Sequence, residues 1–302
     1  MAAVLDELPP GARVLFIRLR SLGDCVLTTP ALALLHAHRP GLRVAVMVES
    51  RFAGVYDGNP DVNEILSPSR WLAYKFKPHL TVNLHGGPQS AQMTLASLAR
   101  HRAGFGHYRH RFAYNLHIPR AQEILGEERT VHTAEHVASA LFWLGVPRQE
   151  IPRASLYTSG PRKVPRAIIH PFASAPEKAW PVDRFVALAQ WLRDDLKLPV
   201  TIIGAESDDF SPFTQFELLR GAGLSDLKRA IQSATLFVGN DSGPAHMAAA
   251  FGLPVLVLYG SSDPVVWAPW RTRAETIIAP DGLAAVPVEQ VRDAVQRLEV
   301  HS

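Results

Sequence analysis

Short apolar runs rich in β-branched residues alternate with helical patterns along this chain. In the first half, the alternation predicts strands at Val14–Leu19, Arg43–Val48, Val62–Leu66 and Leu80–Leu84. Helices are predicted at Ala31–His38, Ser90–Arg100 and His132–Leu144. Because strands and helical stretches alternate along the chain, their order favours a parallel sheet covered by helices on both faces, which is an α/β fold.

A break at 157–166 separates this series from a second one. The break contains Gly160, two prolines and three basic residues, a composition typical of a linker. After it, the pattern predicts strands at 167–171, 200–205, 235–239 and 255–259, and helices at 183–196, 225–233, 244–251 and 288–300. We therefore predict two Rossmann-like, doubly wound domains, 1–158 and 159–302, that face each other across a cleft. Whether the last helix packs back on the first domain is left open.

Composition restricts the class of protein and its compartment. Of the 302 residues, 47% are hydrophobic and 20% are charged, which favours a soluble globular protein. No apolar run approaches the roughly 20 residues of a membrane-spanning helix. Cys25 is the only cysteine, and the N-terminal segment with Asp6 and Glu7 lacks the features of a secretory signal. We expect a cytoplasmic protein without disulfides or cysteine-based metal clusters.

Positive charge is concentrated in one stretch. Between Glu64 and Glu123 there is no acidic residue, whereas eight Arg or Lys residues and six histidines occur there. Such a stretch predicts a positive surface and an anionic partner, either an acidic phosphorylated sugar, a lipid headgroup or a nucleic acid. A solvated basic face without a partner is the alternative. Nucleic acid is disfavoured because no basic motif of the nucleic-acid-binding kind is present.

The turn at 238–246 is the sharpest candidate for a ligand site. A buried strand runs into a polar turn, and Pro244 stands where a helix favours proline. Free N–H groups and the helix dipole would then form an anion site suited to a phosphate. An ordinary helix cap is the alternative. The candidate donor-binding residues are Asp241, Ser242, Gly243 and His246.

Two further strand-to-helix turns carry polar candidates. Lys178, with Ser174 in the same loop, could neutralise a phosphate, although a solvated lysine is the alternative. Glu206 follows a predicted strand and could accept ribose hydroxyls, as Asp208 could. The sequence contains neither a dinucleotide-binding G-x-G-x-x-G after a strand nor a P-loop. It also lacks an Asp-x-Asp pair for a divalent cation, so we expect no metal.

The opening strand leads directly into Asp24. Gly23 permits a sharp turn there, and a carboxylate at the mouth of a cleft could serve as the base that takes a proton from an attacking hydroxyl. A simple helix N-cap is the alternative. The neighbouring Cys25 is interpreted as a small buried side chain, because no cationic pattern marks it as a nucleophile.

These turns together resemble glycosyltransferase family 9, the ADP-heptose:lipopolysaccharide heptosyltransferases, from Val14 to Leu298. The motifs that carry the resemblance are I-R-L-R-S-L-G-D-C-V-L-T-T-P-A-L at Ile17–Leu32, G-N-P-D-V at Gly58–Val62, H-P-F-A-S-A-P-E-K-A-W-P at His170–Pro181, G-N-D-S-G-P-A-H at Gly239–His246 and L-Y-G-S-S-D-P at Leu258–Pro264. The chain departs from the family pattern at Ser207–Gly223, which is short and rich in phenylalanine and lacks a helix, and at Gln89, where a basic residue is common. These departures leave the adenine contacts and the acceptor open.

The resemblance implies a GT-B fold and metal-independent transfer of a heptose from an ADP-sugar, with inversion, to an acidic lipopolysaccharide inner-core acceptor. It implies Asp24 as catalytic base, Lys178 and Ser174 at the donor phosphates, Glu206 at the ribose, and Asp241, Ser242, Gly243 and His246 around the ADP. Arg111 and Arg120 are our candidates for acceptor binding. No cofactor is expected, and peripheral contact with the inner membrane is left open. The alternatives are a GT-B-fold sugar-nucleotide epimerase and a non-catalytic module that binds polyanions or carbohydrates.

Overall fold

The fold is seen in a computed structural model that describes residues 3–159, 163–173 and 175–298. Its internal contacts divide the chain into two compact units, Met1–Ser155 and Leu156–Ser302. Each unit contains one six-stranded parallel sheet. The α/β class with two Rossmann-like domains, predicted from the alternation of strands and helices, is confirmed.

In the part of the first unit that the structure describes there are six strands and six α-helices. The strands are β1 Arg13–Ile17, β2 Arg43–Met47, β3 Glu64–Leu66, β4 Leu80–Asn83, β5 His101–Phe105 and β6 Leu116–Ile118. The helices are α1 Leu22–Val26, α2 Thr29–His38, α3 Arg70–Phe76, α4 Pro88–Ala96, α5 Ala121–Leu125 and α6 Thr133–Leu144. In β1 and β4 nearly every residue is buried, because helices cover both faces of a parallel sheet.

The described residues of the second unit repeat this plan with six strands and five α-helices. The strands are β7 Ala167–His170, β8 Val200–Gly204, β9 Glu217–Arg220, β10 Leu236–Asn240, β11 Val255–Tyr259 and β12 Ala274–Ile278. The helices are α7 Val182–Asp194, α8 Leu224–Ser233, α9 Gly243–Ala250, α10 Pro264–Trp267 and α11 Val288–Arg297. The last helix buries Val291, Ala294 and Val295 in the core of its own unit.

Both sheets have the same strand order, which sets the place of a ligand site. The first runs β3-β2-β1-β4-β5-β6 and the second β12-β11-β10-β7-β8-β9, so the first and fourth strands of each unit are neighbours at its centre. The connections that leave these two strands diverge to opposite sides, which opens a crevice at their carboxyl ends. Asp24 follows β1, whereas Lys178 and Asp241 follow β7 and β10.

Most predicted elements are present, but several were missed. All four strands predicted in the first half and all four in the second are found within one or two residues of their predicted bounds. The strands β5, β6, β9 and β12 and the short helices α1, α3, α5 and α10 were not predicted. The predicted helix Ser90–Arg100 was placed too late, because α4 ends at Ala96 and β5 begins at His101.

The connection between β8 and β9 contains one 3-10 turn, Ser211–Phe213, and no α-helix. Its three phenylalanines, Phe210, Phe213 and Phe216, are all buried in the core of the second unit. Phe172, from the loop after β7, packs against Phe210 with ring centroids 5.0 Å apart. Among the helices that the structure describes, none is long and apolar enough to cross a membrane.

Candidate active site

The turn after β10 contains the predicted residues Asp241, Ser242 and Gly243. Because β10 is a central strand, this turn lies at the centre of the second sheet. Ser242 is the N-cap of α9 with extended backbone, and Gly243 is the first residue of this helix. The Ser242 hydroxyl lies 3.1 Å from Nδ1 of His170, the last residue of β7. Burial lowers the pKa of His170 to about 4, so the ring is neutral at physiological pH. The helix N-terminus and the hydroxyl therefore form a neutral cradle that can accept an anion.

His246 lies one turn into α9. Its side chain is buried, and its ring centroid lies 6.1 Å from that of Trp267 in α10. The ring therefore packs inside the second unit and does not lie on an exposed helix face.

The loop after β7 is fastened to the end of β10 by one buried amide. Asn240 Oδ1 accepts a hydrogen bond of 3.0 Å from the backbone N–H of Trp180, and Nδ2 donates one of 2.8 Å to the carbonyl of Pro171. Trp180 is itself fully buried, with its indole N–H donating to the carbonyl of Val286 over 2.9 Å. These contacts fix both ends of the loop that carries Lys178. Ser174 lies outside the described residues.

Lys178 and Asp241 lie near each other beyond the carboxyl ends of β7 and β10. Burial raises the pKa of Asp241, while a hydrogen bond from Ser262 and the positive charge of Lys178 oppose that effect. Lys178 ends a 3-10 turn, Pro176–Lys178. The carbonyl of Glu177 lies so close to Gly260 that a Cβ there would be only 2.6 Å from it. A side chain at position 260 would therefore clash with the turn that carries Lys178.

A pocket of about 370 Å³ adjoins the end of β7. It is bounded by the carboxyl ends of β8 and β9 and by the start of α9, through His170, Ile203, Gly204, Ala205, Glu206, Leu219, Gly221, Ala222, Leu227 and Pro244. Glu206 pairs with Arg220 at 3.4 Å and its side chain is 79% exposed at the rim. Gly221, at φ +59°, leaves room for this carboxylate, since a Cβ there would lie 2.5 Å from Glu206 Oε2. The apolar floor with a carboxylate at its mouth suits a nucleoside.

In the first unit, Asp24 is held by two neighbours. Its Oδ1 accepts a hydrogen bond of 3.1 Å from Nη1 of Arg18, a buried guanidinium. Its Oδ2 accepts from the hydroxyl and the backbone N–H of Ser21, at 3.0 and 3.3 Å. Asp24 is therefore both the capping carboxylate of α1 and an oriented, partly exposed carboxylate at the end of β1.

The charges of Arg18 and Asp24 act on a group of rings that the sequence did not single out. Burial, followed by the charges of Arg18 and Arg20, lowers the pKa of His85. Burial and Arg18 lower the pKa of His136 to about 4, and burial raises the pKa of Tyr108 to about 12. These shifts favour the neutral form of all three rings, and the charge of Asp24 acts on each of them. The histidine-rich stretch was the only sequence signal for this group, and it did not include His136.

The remaining candidates of the first unit have different surroundings. Arg111, at the start of a 3-10 turn, and Arg120, the N-cap of α5, are both exposed. The charge of Arg120 acts on His107, and His107 in turn lies near the rings around Asp24, since the ring centroids of His107 and His136 are 5.9 Å apart.

Burial raises the pKa of Cys25 to about 12, which keeps the thiol protonated and unreactive. Within the described parts of both units, no group of three His, Cys, Asp or Glu side chains could hold a metal ion.

Comparison with known proteins identifies the family. The sequence model of Glycosyltransferase family 9 (heptosyltransferase) matches residues 79–291, which is most of the chain. Lipopolysaccharide heptosyltransferase 3 of Escherichia coli K12 is 25% identical over an alignment that covers 93% of this chain and 96% of the relative.

Solved structures share the fold over nearly the whole length. The glycosyl transferase family 9 protein of Veillonella parvula superposes with a TM-score of 0.84 at 21% identity, covering 95% of this chain and 97% of its own. The ADP-heptose lipopolysaccharide heptosyltransferase II of Escherichia coli superposes with a TM-score of 0.80 at 20% identity, covering 95% and 98%. The chain is a glycosyltransferase and belongs to glycosyltransferase family 9.

Proposed function

We propose that this protein transfers a heptose or a related sugar from an ADP-sugar to an acidic inner-core acceptor of lipopolysaccharide, with inversion and without a catalytic metal. Membership of family 9 supports the reaction class, and the relative in Escherichia coli K12 is a lipopolysaccharide heptosyltransferase. Another Escherichia coli heptosyltransferase of the same fold has been solved with ADP. We also propose that the protein acts on the cytoplasmic side of the inner membrane, where nucleotide-sugars are available.

One observation supports the donor side of the proposal: the charge of Lys178 acts on Asp241 beside the N-terminus of α9, and the Ser242 hydroxyl there meets His170, which lines a pocket of nucleoside size. The adenosine would occupy the pocket and its ribose would meet Glu206. The diphosphate would lie at the N-terminus of α9, with the Lys178 ammonium as its counter-charge. The short connection at 207–223 leaves the base to contact the pocket floor instead of an additional helix.

We assign the groups of the transfer step from their chemistry. An acceptor hydroxyl attacks the anomeric carbon from the face opposite to the diphosphate, and the new C–O bond forms as the bond to the β-phosphate oxygen breaks. The electron pair of that bond leaves with ADP, whose charge Lys178 and the α9 N-terminus stabilise. Asp24 takes the proton of the attacking hydroxyl. Arg111 and Arg120 would hold an anionic acceptor.

A nucleotide screen tests the donor assignment. We expect ADP to raise the melting temperature of the protein, since a ligand at about 100 times its Kd stabilises the bound state by about 2.7 kcal/mol. UDP and GDP should do so less at equal concentration, because the apolar pocket would be filled by adenine. The same shift with all three nucleotides would contradict the assignment of an adenosine pocket.

Replacing Lys178 with alanine should weaken ADP binding by about tenfold or more, since hydrogen bonds to charged groups contribute about 1.5–3 kcal/mol. Calorimetric titration with ADP measures the effect. Lys163→Ala is the matched control, because Lys163 is an exposed lysine in another loop of the same unit. Equal ADP affinities in Lys178→Ala and the wild type would remove Lys178 from the site.

Filling the pocket should block the nucleoside without touching the phosphate site. Ala222 lines the pocket, so Ala222→Phe is expected to weaken ADP binding by about 100-fold while pyrophosphate binding remains. Ala284→Phe, at an exposed alanine of the same unit, is the control for the added ring. Retention of ADP affinity in Ala222→Phe would place the nucleoside elsewhere.

A further inference from the structure

We propose that the first unit docks on an anionic phospholipid surface through a patch on α3 and α4, which we call the α3–α4 patch. It consists of the exposed apolar residues Trp71, Tyr74, Leu95 and Leu98 and of a pocket between them lined by Arg13, Lys77 and Arg100. This inference goes beyond the proposed transfer reaction, because it concerns a different surface and a different ligand.

The apolar members of the patch are unusually exposed and lie next to one another. Leu98 is 70% exposed and Trp71 is 64% exposed, and the side chains of Tyr74 and Leu95 are exposed as well. The rings of Trp71 and Tyr74 have centroids 6.0 Å apart. Leu98 donates its backbone N–H to the carbonyl of Leu95 over 3.2 Å, and both Tyr74 and Leu98 line the pocket. Contiguous exposed apolar groups of this kind mark an interaction surface.

The pocket supplies the complementary charge. Its volume is about 260 Å³, and Arg13, Lys77 and Arg100 line it together with His79. The Nε of Arg13 donates to the carbonyl of Lys77 over 2.9 Å, which places the guanidinium beside the lysine backbone. In the parts of the chain that the structure describes, none of these three cations forms an ion pair. Three cations without a carboxylate partner around one cavity suit a phosphate.

The sequence stretch that forms this face contains no acidic residue, and the charge of Glu7 reaches only His101 beside Arg100. No acidic residue occurs from 65 to 122, and Glu64 is already paired with Arg43 at the edge of an adjoining pocket. Lys77 and Leu98 also adopt left-handed backbone conformations, with φ of +51° and +50°, which asparagine or glycine adopts more easily. The exposed side chain of Leu98 adds little core packing that would offset this cost.

A phospholipid surface matches both parts of the patch at once. Basic side chains attract anionic headgroups, and tryptophan, tyrosine and leucine partition into the boundary between headgroups and acyl chains. A nucleic acid or a free phosphate would use the cations but not the exposed leucines. The combination therefore favours a membrane over other polyanions.

Flotation of the full chain with vesicles tests the proposal. We expect binding to vesicles that contain phosphatidylglycerol, weakening as salt rises, and little binding to pure phosphatidylcholine. Lys77→Asn and Arg100→Gln should each weaken the binding about fivefold, since each removes one basic residue from the headgroup region. Leu98→Asn and Trp71→Ser should each weaken it about tenfold through lost apolar insertion. The asparagine substitutions suit the left-handed backbone, so the fold is expected to be retained.

Matched controls come from the second unit. Lys163→Gln removes one exposed lysine, and Ile278→Ser removes one apolar side chain that is 54% exposed. Both should bind vesicles like the wild type, and all variants should retain the ADP-induced rise in melting temperature if the donor assignment is right. Three results would overturn the proposal: no flotation of the wild type, equal losses in patch and control variants, or binding of inorganic phosphate at the pocket without binding to vesicles. Because vesicle binding needs no sugar substrate, its failure is distinguishable from failure of the proposed reaction.

Discussion

Replacing Asp24 with asparagine should lower the rate of sugar transfer by about 10²–10⁴-fold, the usual contribution of a general base. The amide has nearly the shape of the carboxylate but cannot take the proton of the acceptor hydroxyl. ADP affinity should stay within about threefold, because the donor residues belong to the second unit and Asp24 makes no contact with them in the proposed reaction. Single-turnover transfer with a saturating ADP-sugar and an inner-core acceptor measures the effect.

The ion pair with Arg18 requires a stability control for this experiment. Asparagine would leave the buried guanidinium of Arg18 without its counter-charge, which destabilises the first unit. Asp24→Glu, which keeps the charge, and Asp6→Asn, at an exposed aspartate of the same unit, separate folding from chemistry. Persistent transfer in a folded Asp24→Asn protein would place the base elsewhere. Conversion of the donor by the wild type without acceptor would instead favour the epimerase alternative.

The fold was largely predictable because buried parallel strands are continuous apolar runs. The strands β1, β7 and β11 consist of such runs, and all three were predicted. The missed strands lack the pattern for physical reasons. At an edge of its sheet, β9 is mostly exposed, and the sequence Glu217–Arg220 reflects this. In β5, Arg102 donates to the carbonyls of Ala99 and Ala113, so an interior strand carries a charged residue that no periodicity identifies.

The candidate site was predictable only where it follows a strand directly. Asp24, Glu206 and Asp241 were chosen as candidates because ligand sites in parallel sheets lie at the carboxyl ends of strands. The residues that hold the site together were missed, since their contacts join distant parts of the chain. The Ser242 hydroxyl meets His170, which is 72 positions away, and the Asn240 amide meets Trp180, which is 60 positions away. No local spacing encodes such pairs, so a tertiary structure is needed to find them.

Asn240 shows what these distant contacts are expected to contribute. Asn240→Ala would leave the N–H of Trp180 and the carbonyl of Pro171 buried without partners. We expect a loss of about 2–4 kcal/mol in the free energy of unfolding of the second unit, since each unsatisfied buried group costs about 1–3 kcal/mol. The loop that carries Lys178 would lose its attachment to β10, so ADP affinity should fall as well. Urea denaturation with and without ADP measures both effects.

Asn115 provides a matched control for this prediction. Its amide also bridges two backbone groups, accepting from the N–H of Arg102 and donating to the carbonyl of Arg100, each at 2.7 Å, but it is exposed. Water can replace the amide there, so Asn115→Ala should cost less than about 1 kcal/mol and leave ADP binding unchanged. Equal destabilisation by the two variants would mean that burial does not set the value of the Asn240 contacts. Loss of stability in Asn240→Ala without loss of ADP affinity would show that the attachment of the loop does not position Lys178.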